Sequence, residues 1–129
     1  MNGRNKAPRI LISSGATVLI VAALLHLSDY PKDIRAVAAS SLRASMQGEV
    51  RSLFFLVGWD WLAIAIIMLI SAVAGQELRK VVVLFCGFAL LVTLAVMVAF
   101  MGWFWGCGLI ILSALIILCG GVLFRNTAD

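Results

Sequence analysis

The sequence predicts an all-α integral membrane protein: a bundle of four transmembrane helices, with an amphipathic interfacial helix between the first and second spans. Three observations carry this prediction. First, 64% of the 129 residues are hydrophobic and 12% are charged, whereas soluble proteins have about 45–50% apolar and about 25% charged residues. Second, long stretches of the sequence, such as residues 10–27 and 81–124, contain no charged residue. Third, runs such as residues 109–112 lack the alternation of a barrel strand, and lipid admits only helices or closed barrels. A soluble enzyme and a disordered chain are therefore excluded.

The uncharged runs set the number of spans. Each span needs roughly 20 apolar residues, because a helix rises about 1.5 Å per residue through a bilayer core about 30 Å thick. The run over residues 81–124 would be about 66 Å long as one helix and must fold back. We place its turn at Gly102–Gly106, since glycine loosens a helix and tryptophan prefers the lipid boundary. The predicted spans are about 10–27, 53–75, 81–101 and 105–124, in one membrane domain over residues 1–129.

The segment between the first two spans predicts the interfacial helix. Pro31 suits the first position of a helix, and Asp33 then lies in the first turn, where the helix dipole favours a carboxylate. Apolar residues follow at four-residue spacing, which is typical of an amphipathic helix. We expect this helix over about 31–47, lying at the membrane surface or across the mouth of the bundle as a connector. A role as a lid or docking element is the alternative.

The basic residues predict the orientation. If both termini share one side, that side carries six cations and the opposite side carries four. The positive-inside rule then places both termini in the cytoplasm, in a membrane that we expect to be the bacterial inner membrane. The six are Arg4, Lys6, Arg9, Arg79, Lys80 and Arg125, and the four are Lys32, Arg35, Arg43 and Arg51.

Asp60 is the one charged residue inside a predicted span, and it lies between two tryptophans. An acid at the bilayer centre costs about 2.5–3.5 kcal/mol on insertion scales, so such a residue usually has a partner or a watery cavity. Other polar and aromatic residues approach the same membrane face, opposite the termini. The resulting candidate functional cluster consists of His26, Asp29, Arg51, Trp59, Asp60, Trp61, Trp103 and Trp105.

Two interpretations of this cluster stay open. In the first, the four tryptophans form an aromatic belt at the interface, and Asp60 reaches the headgroups or pairs with an arginine. In the second, His26 and Asp60 form a titratable pair in a shallow pocket that binds a cation, relays a proton or holds a small ligand.

No residue is predicted to be catalytic, cofactor-binding or metal-ligating. The chain has one histidine and three cysteines without a C-x-x-C pair, so no zinc or iron–sulfur ligand set can be assembled. Nucleotide-binding and hydrolase motifs are absent from the sequence. We therefore expect no cofactor and no nucleic-acid partner, and an enzyme ranks third among the function classes, behind the two given below.

In length and span count the chain resembles the small four-helix bacterial proteins grouped as DoxX-like, and also the membrane enzymes of eicosanoid and glutathione metabolism. That resemblance implies a four-helix membrane fold and no site residue, because residues 81–124 contain neither charge nor asparagine. Two functions are then predicted. The first is an accessory or assembly subunit that contacts lipid, other membrane proteins or a second copy of itself. The alternative is a small oligomeric carrier or ligand-binding protein that uses Asp60 and His26.

Overall fold

A computed structural model describes residues 6–73 and 79–123, and the described part of the chain consists of four helices and two turns, over residues 39–43 and 102–104. The helices are α1 (Lys6–Ala38), α2 (Ala44–Val73), α3 (Arg79–Met101) and α4 (Trp105–Leu123). The prediction of an all-α, four-helix chain is confirmed. The last residues of the second and fourth predicted spans, 74–75 and 124, lie outside the described residues.

All four helices are long and apolar enough to cross a membrane. At about 1.5 Å per residue, α3 and α4 are about 35 Å and 28 Å long, close to the thickness of a bilayer core. The helices α1 and α2 are about 50 Å and 45 Å long, which exceeds that thickness. Their extra length is the polar hairpin around residues 29–52, which lies at the same end of the bundle as the α3–α4 turn.

The prediction of a separate interfacial helix over about 31–47 is wrong. Pro31 lies inside α1, which continues to Ala38, and a turn over residues 39–43 leads directly into α2. The turn is held by Ser40, whose hydroxyl donates to the carbonyl of Val37 at 2.6 Å. A proline inside a helix removes one backbone hydrogen bond, and here Tyr30 packs against the α2 ring of Phe54 beside it. Packing between the two helices therefore holds α1 together past the proline.

The turn between α3 and α4 falls inside the predicted segment. It spans residues 102–104, and Gly102 adopts a φ of 75°, a left-handed conformation that glycine accepts without strain. The Gly102 N–H donates to the carbonyl of Val98 at 3.0 Å and so closes the end of α3. The prediction that the 81–124 run folds back at its glycines is confirmed.

The helices pack in the order α2, α1, α4, α3, and α2 and α3 contact each other little. The central pair approaches closely through small residues. A Cβ atom at Gly15 would lie 2.7 Å from Cγ1 of Ile117, and one at Gly120 would lie 2.8 Å from Cγ1 of Ile12. The buried hydroxyl of Ser113 on α4 donates to the Gly15 carbonyl on α1 at 2.9 Å. Small residues and an interhelical hydrogen bond are the usual means of association between helices in lipid.

The close approach at Gly15 predicts an asymmetric response to alanine. Gly15→Ala places a methyl group against Ile117 and the Ser113 carbonyl, so we expect it to lower the stability by about 1–3 kcal/mol. The control is Gly108→Ala, because a Cβ at Gly108 meets nothing within 4 Å and alanine favours a helix by up to about 1 kcal/mol. Thermal unfolding of both variants in detergent measures the difference. Equal Tm values for the two variants would contradict the close α1–α4 packing.

Candidate functional site

A cavity of about 160 Å³ lies at the end of the bundle that carries the two turns. It is enclosed by α1, by α2 and by the start of α4 with the residue before it. Its walls combine aromatic rings with two carboxylates and one imidazole. The lining residues are Ala22, His26, Asp29, Asp33, Phe54, Trp61, Phe104, Trp105, Gly106 and Leu109.

The α1 wall follows from the helical repeat. Residues 22, 26, 29 and 33 are spaced by four, three and four positions, so they lie on one face of a helix with 3.6 residues per turn. This face continues past Pro31 only because α1 remains helical there. The continuation brings Asp33 to the same cavity as His26.

His26 is fixed against α2 by stacking and by a hydrogen bond. Its ring lies 3.9 Å from the ring of Phe54, nearly parallel to it, and 5.1 Å from the ring of Trp61. Its Nε2 lies 2.9 Å from the Phe54 carbonyl oxygen. A carbonyl can only accept a hydrogen bond, so Nε2 carries a hydrogen and donates it. In the neutral ring, Nδ1 is then left as an acceptor.

Gly58 allows this contact between α1 and α2. A Cβ atom at position 58 would lie 2.6 Å from Cδ2 of Leu27 and 3.3 Å from Cδ2 of His26. Further toward the hairpin, Tyr30 lies 5.9 Å from Phe54 in a stacked arrangement. Aromatic packing therefore continues along the α1–α2 contact beside the cavity.

Trp61 is the buried aromatic residue of the cavity wall. Its side chain is 2% exposed, and its buried Nε1–H has no hydrogen-bond acceptor among the described residues. A buried donor without an acceptor costs about 1–3 kcal/mol.

The two carboxylates of the cavity lie one helical turn apart on α1. The side chain of Asp29 is exposed and that of Asp33 is half-buried. Within residues 6–73 and 80–99, no basic side chain forms an ion pair within 4.0 Å of either carboxylate. Like charges at this spacing repel by a few tenths of a kcal/mol on a helix. The cavity is therefore a negatively charged site with aromatic walls.

The structure brings together half of the predicted cluster. His26, Asp29, Trp61 and Trp105 line the cavity. Trp59, Asp60 and Trp103 are exposed and do not line it.

Arg51, the remaining member, lines a smaller cavity of about 20 Å³ that shares Asp33 and Phe54 with the first. The buried Nε of Arg51 has no partner among the described residues. His26 is hydrogen-bonded to Phe54 and not to Asp60. A joint role for the whole cluster stays a prediction.

Several lining residues were not among the predicted ones. Asp33 is missed when the helix is broken at Pro31, although the spacing of residues 22, 26, 29 and 33 carries the signal. Phe104 and Gly106 lie in and beside the α3–α4 turn, and only the packing of that turn against α1 brings them to the site. Among the described residues, no group of three or more His, Cys, Asp or Glu side chains is placed to hold a metal ion. The three cysteines are free, and Cys86 and Cys107 are buried.

Comparison of the chain with protein-family models, with curated proteins and with solved structures finds no match. The fold and the cavity therefore define a structural class of protein and not a family. That class is a four-helix bundle with helices long and apolar enough to cross a membrane, and with an aromatic, acidic cavity at one end.

His26 variants separate its hydrogen bond from its stacking. His26→Phe keeps a ring against Phe54 but loses the hydrogen bond, so we expect a loss of about 1 kcal/mol. His26→Leu loses both, and we expect a further loss of about 0.5–1.5 kcal/mol. Thermal unfolding in detergent gives the comparison, with Leu24→Phe on the exposed side of α1 as the control. A His26→Phe variant as stable as the wild type would show that the hydrogen bond contributes nothing.

Proposed function

We propose that the chain is a four-pass integral membrane protein of the bacterial inner membrane with both termini in the cytoplasm. The lengths and hydropathy of the helices support insertion. So does α3, where Val81, Phe85 and Phe88 are 66%, 73% and 65% exposed. An apolar face of this kind is unusual on the surface of a soluble protein and ordinary in contact with lipid. The six-to-four distribution of cations supports the orientation.

Cysteine labelling tests this orientation in intact cells. In a background without the native cysteines, we expect Ser40→Cys to react with a membrane-impermeant maleimide, because the 39–43 turn faces the outside. Lys6→Cys is expected to react only after permeabilisation. Labelling of Lys6→Cys in intact cells, with Ser40→Cys protected, would reverse the proposed orientation.

We infer further that the protein binds a small molecule in the cavity between His26 and Trp61. The observation that carries this inference is a preformed cavity with a buried aromatic wall: Trp61 is one of its lining residues, and the buried indole N–H of Trp61 has no acceptor among the described residues. A cavity of about 150 Å³ holds a molecule of benzene size, so the ligand has on the order of six non-hydrogen atoms. Carriers and binding proteins commonly recognise ligands through apolar walls and a few polar groups. In this proposal the residues around His26 supply the site, and Asp60 lies outside it.

An accessory or assembly role is the second candidate function, and a different observation supports it. α2 and α3 contact each other little, and both carry exposed apolar side chains, such as Ile70 on α2 and Phe85 on α3. A helix of a partner membrane protein, or of a second copy, fits this side of the bundle. Ser71 is half-buried at the same end of α2 and offers a small residue for close packing.

Native mass spectrometry distinguishes the two candidates. We expect the protein, released from its own membranes in mild detergent, to carry a small added mass. That mass should disappear in the cavity-filling variants Ala22→Phe and Leu109→Trp, since both residues line the cavity. The control is Ala63→Phe, which makes the same change as Ala22→Phe at an exposed position of α2.

The outcomes are distinct. Loss of the added mass in both filling variants, with the wild-type Tm retained in at least one of them, supports the binding function. A stoichiometric added polypeptide that persists in all variants supports the accessory role. The absence of any mass that depends on the cavity would contradict the binding function.

A further inference from the structure

The walls of the cavity specify the charge of what it holds. Asp29 and Asp33 supply two carboxylates, and four lining Phe and Trp side chains supply aromatic rings: Phe54, Trp61, Phe104 and Trp105. Carboxylates attract a cation by Coulomb forces, and aromatic faces attract a cation through their quadrupole. The combination of both is the chemistry by which proteins recognise organic ammonium groups.

A bare metal ion fits this site poorly. Hard cations take six or more oxygen ligands, or fewer ligands in a fixed geometry, and the described residues provide no group of three His, Cys, Asp or Glu side chains. The rest of the wall is aromatic or aliphatic. Apolar walls favour a cation that carries its own alkyl groups, because those groups are removed from water on binding.

Trp61 adds a second requirement. Its unpartnered Nε1–H is a donor and cannot bind an ammonium group. It can bind an oxygen on the same ligand. The His26 ring lines the site and is held in place by its stacking on Phe54 and by its Nε2–H bond to the Phe54 carbonyl.

We propose, as an extension of the binding function above, that the cavity holds a small alkylammonium group that also bears an oxygen acceptor. The ammonium lies beside Asp29 and Asp33, and the oxygen accepts from Trp61 Nε1–H. Two sources share this chemistry: a free amino alcohol, and the headgroup of an ethanolamine or choline phospholipid. The second source is reachable because the exposed tryptophans of the α3–α4 turn mark the headgroup level.

Titration calorimetry in maltoside micelles, which contain neither ammonium groups nor charge, tests this with three probes. Choline has both the ammonium and the oxygen, tetramethylammonium lacks the oxygen, and 3,3-dimethylbutan-1-ol is the neutral isostere of choline. We expect choline to bind at least tenfold more tightly than its neutral isostere, since one Coulomb contact in a partly desolvated site gives about this factor.

Substitutions at Asp29, Asp33 and Trp61 test which side chain contacts the ammonium group and which contacts the oxygen. Asp29→Asn with Asp33→Asn should weaken choline and tetramethylammonium by about tenfold or more and leave the neutral isostere unchanged. Trp61→Phe should weaken choline severalfold and leave tetramethylammonium unchanged, because only choline has an acceptor for the indole. The matched control is Glu49→Gln with Asp60→Asn, which removes the same charge at two exposed positions outside the cavity.

Added phospholipid identifies the source. If phosphatidylethanolamine weakens choline binding and phosphatidylglycerol does not, the headgroup is the occupant. If neither lipid competes, a free amine is the occupant, and both results support the ammonium chemistry. Equal binding of choline and its isostere, or no binding of either ammonium probe, would overturn the inference. The proposed binding function would still stand if the added mass is lost in both Ala22→Phe and Leu109→Trp with the wild-type Tm retained in at least one of them, and it would fail with the inference if that mass is absent.

Discussion

The close contact between α1 and α4 is the constraint on which the rest of the structure depends. Gly120 lies against Ile12, and Gly15 lies against Ser113 and Ile117, so the two helices run antiparallel in a fixed register. Successive residues of α1 therefore lie level with residues of α4 taken in the reverse order. The same register brings residues 22–26 level with residues 105–109, and Ala22, His26, Gly106 and Leu109 line the cavity at this level. On α2, Phe54 and Trp61 complete the wall of the cavity.

The spans could be predicted from the sequence because the solvent dictates them. A charge-free run twice the thickness of a bilayer must fold back, and Gly102 is a residue that adopts the required φ without strain. The path of α1 past Pro31 could not be predicted in this way. The local preference of proline for a helix start is outweighed by the packing of His26 and Tyr30 on Phe54, a contact between residues far apart in the chain. Sequence spacing alone does not reveal such a contact.

The candidate site was predicted in part for a related reason. Residues 59, 60 and 61 are adjacent on a helix, and at 3.6 residues per turn they cannot all face the interior. The sequence shows the triplet Trp59, Asp60, Trp61 but not which member points inward. Small and apolar residues at Gly58, Ala65 and Ala72 are buried with Trp61 against the bundle, and this orientation leaves Asp60 exposed. The rotation of α2 about its axis decides which residue lines the cavity. The presence of an acid in an apolar span does not decide it.

The polar groups of the cavity lower the stability of the folded chain. An indole donor without an acceptor costs about 1–3 kcal/mol, and phenylalanine at position 61 would fill much of the same space without that donor. The repulsion between the carboxylates of Asp29 and Asp33 adds a smaller cost. Water inside the cavity could accept from the indole, but it could not neutralise two carboxylates. In the binding proposed above, a cation that bears an oxygen would offset both costs, and its binding would stabilise the folded chain in proportion to the logarithm of its concentration over its Kd. The ligand proposed above would therefore relieve costs that the packing of these side chains leaves in place.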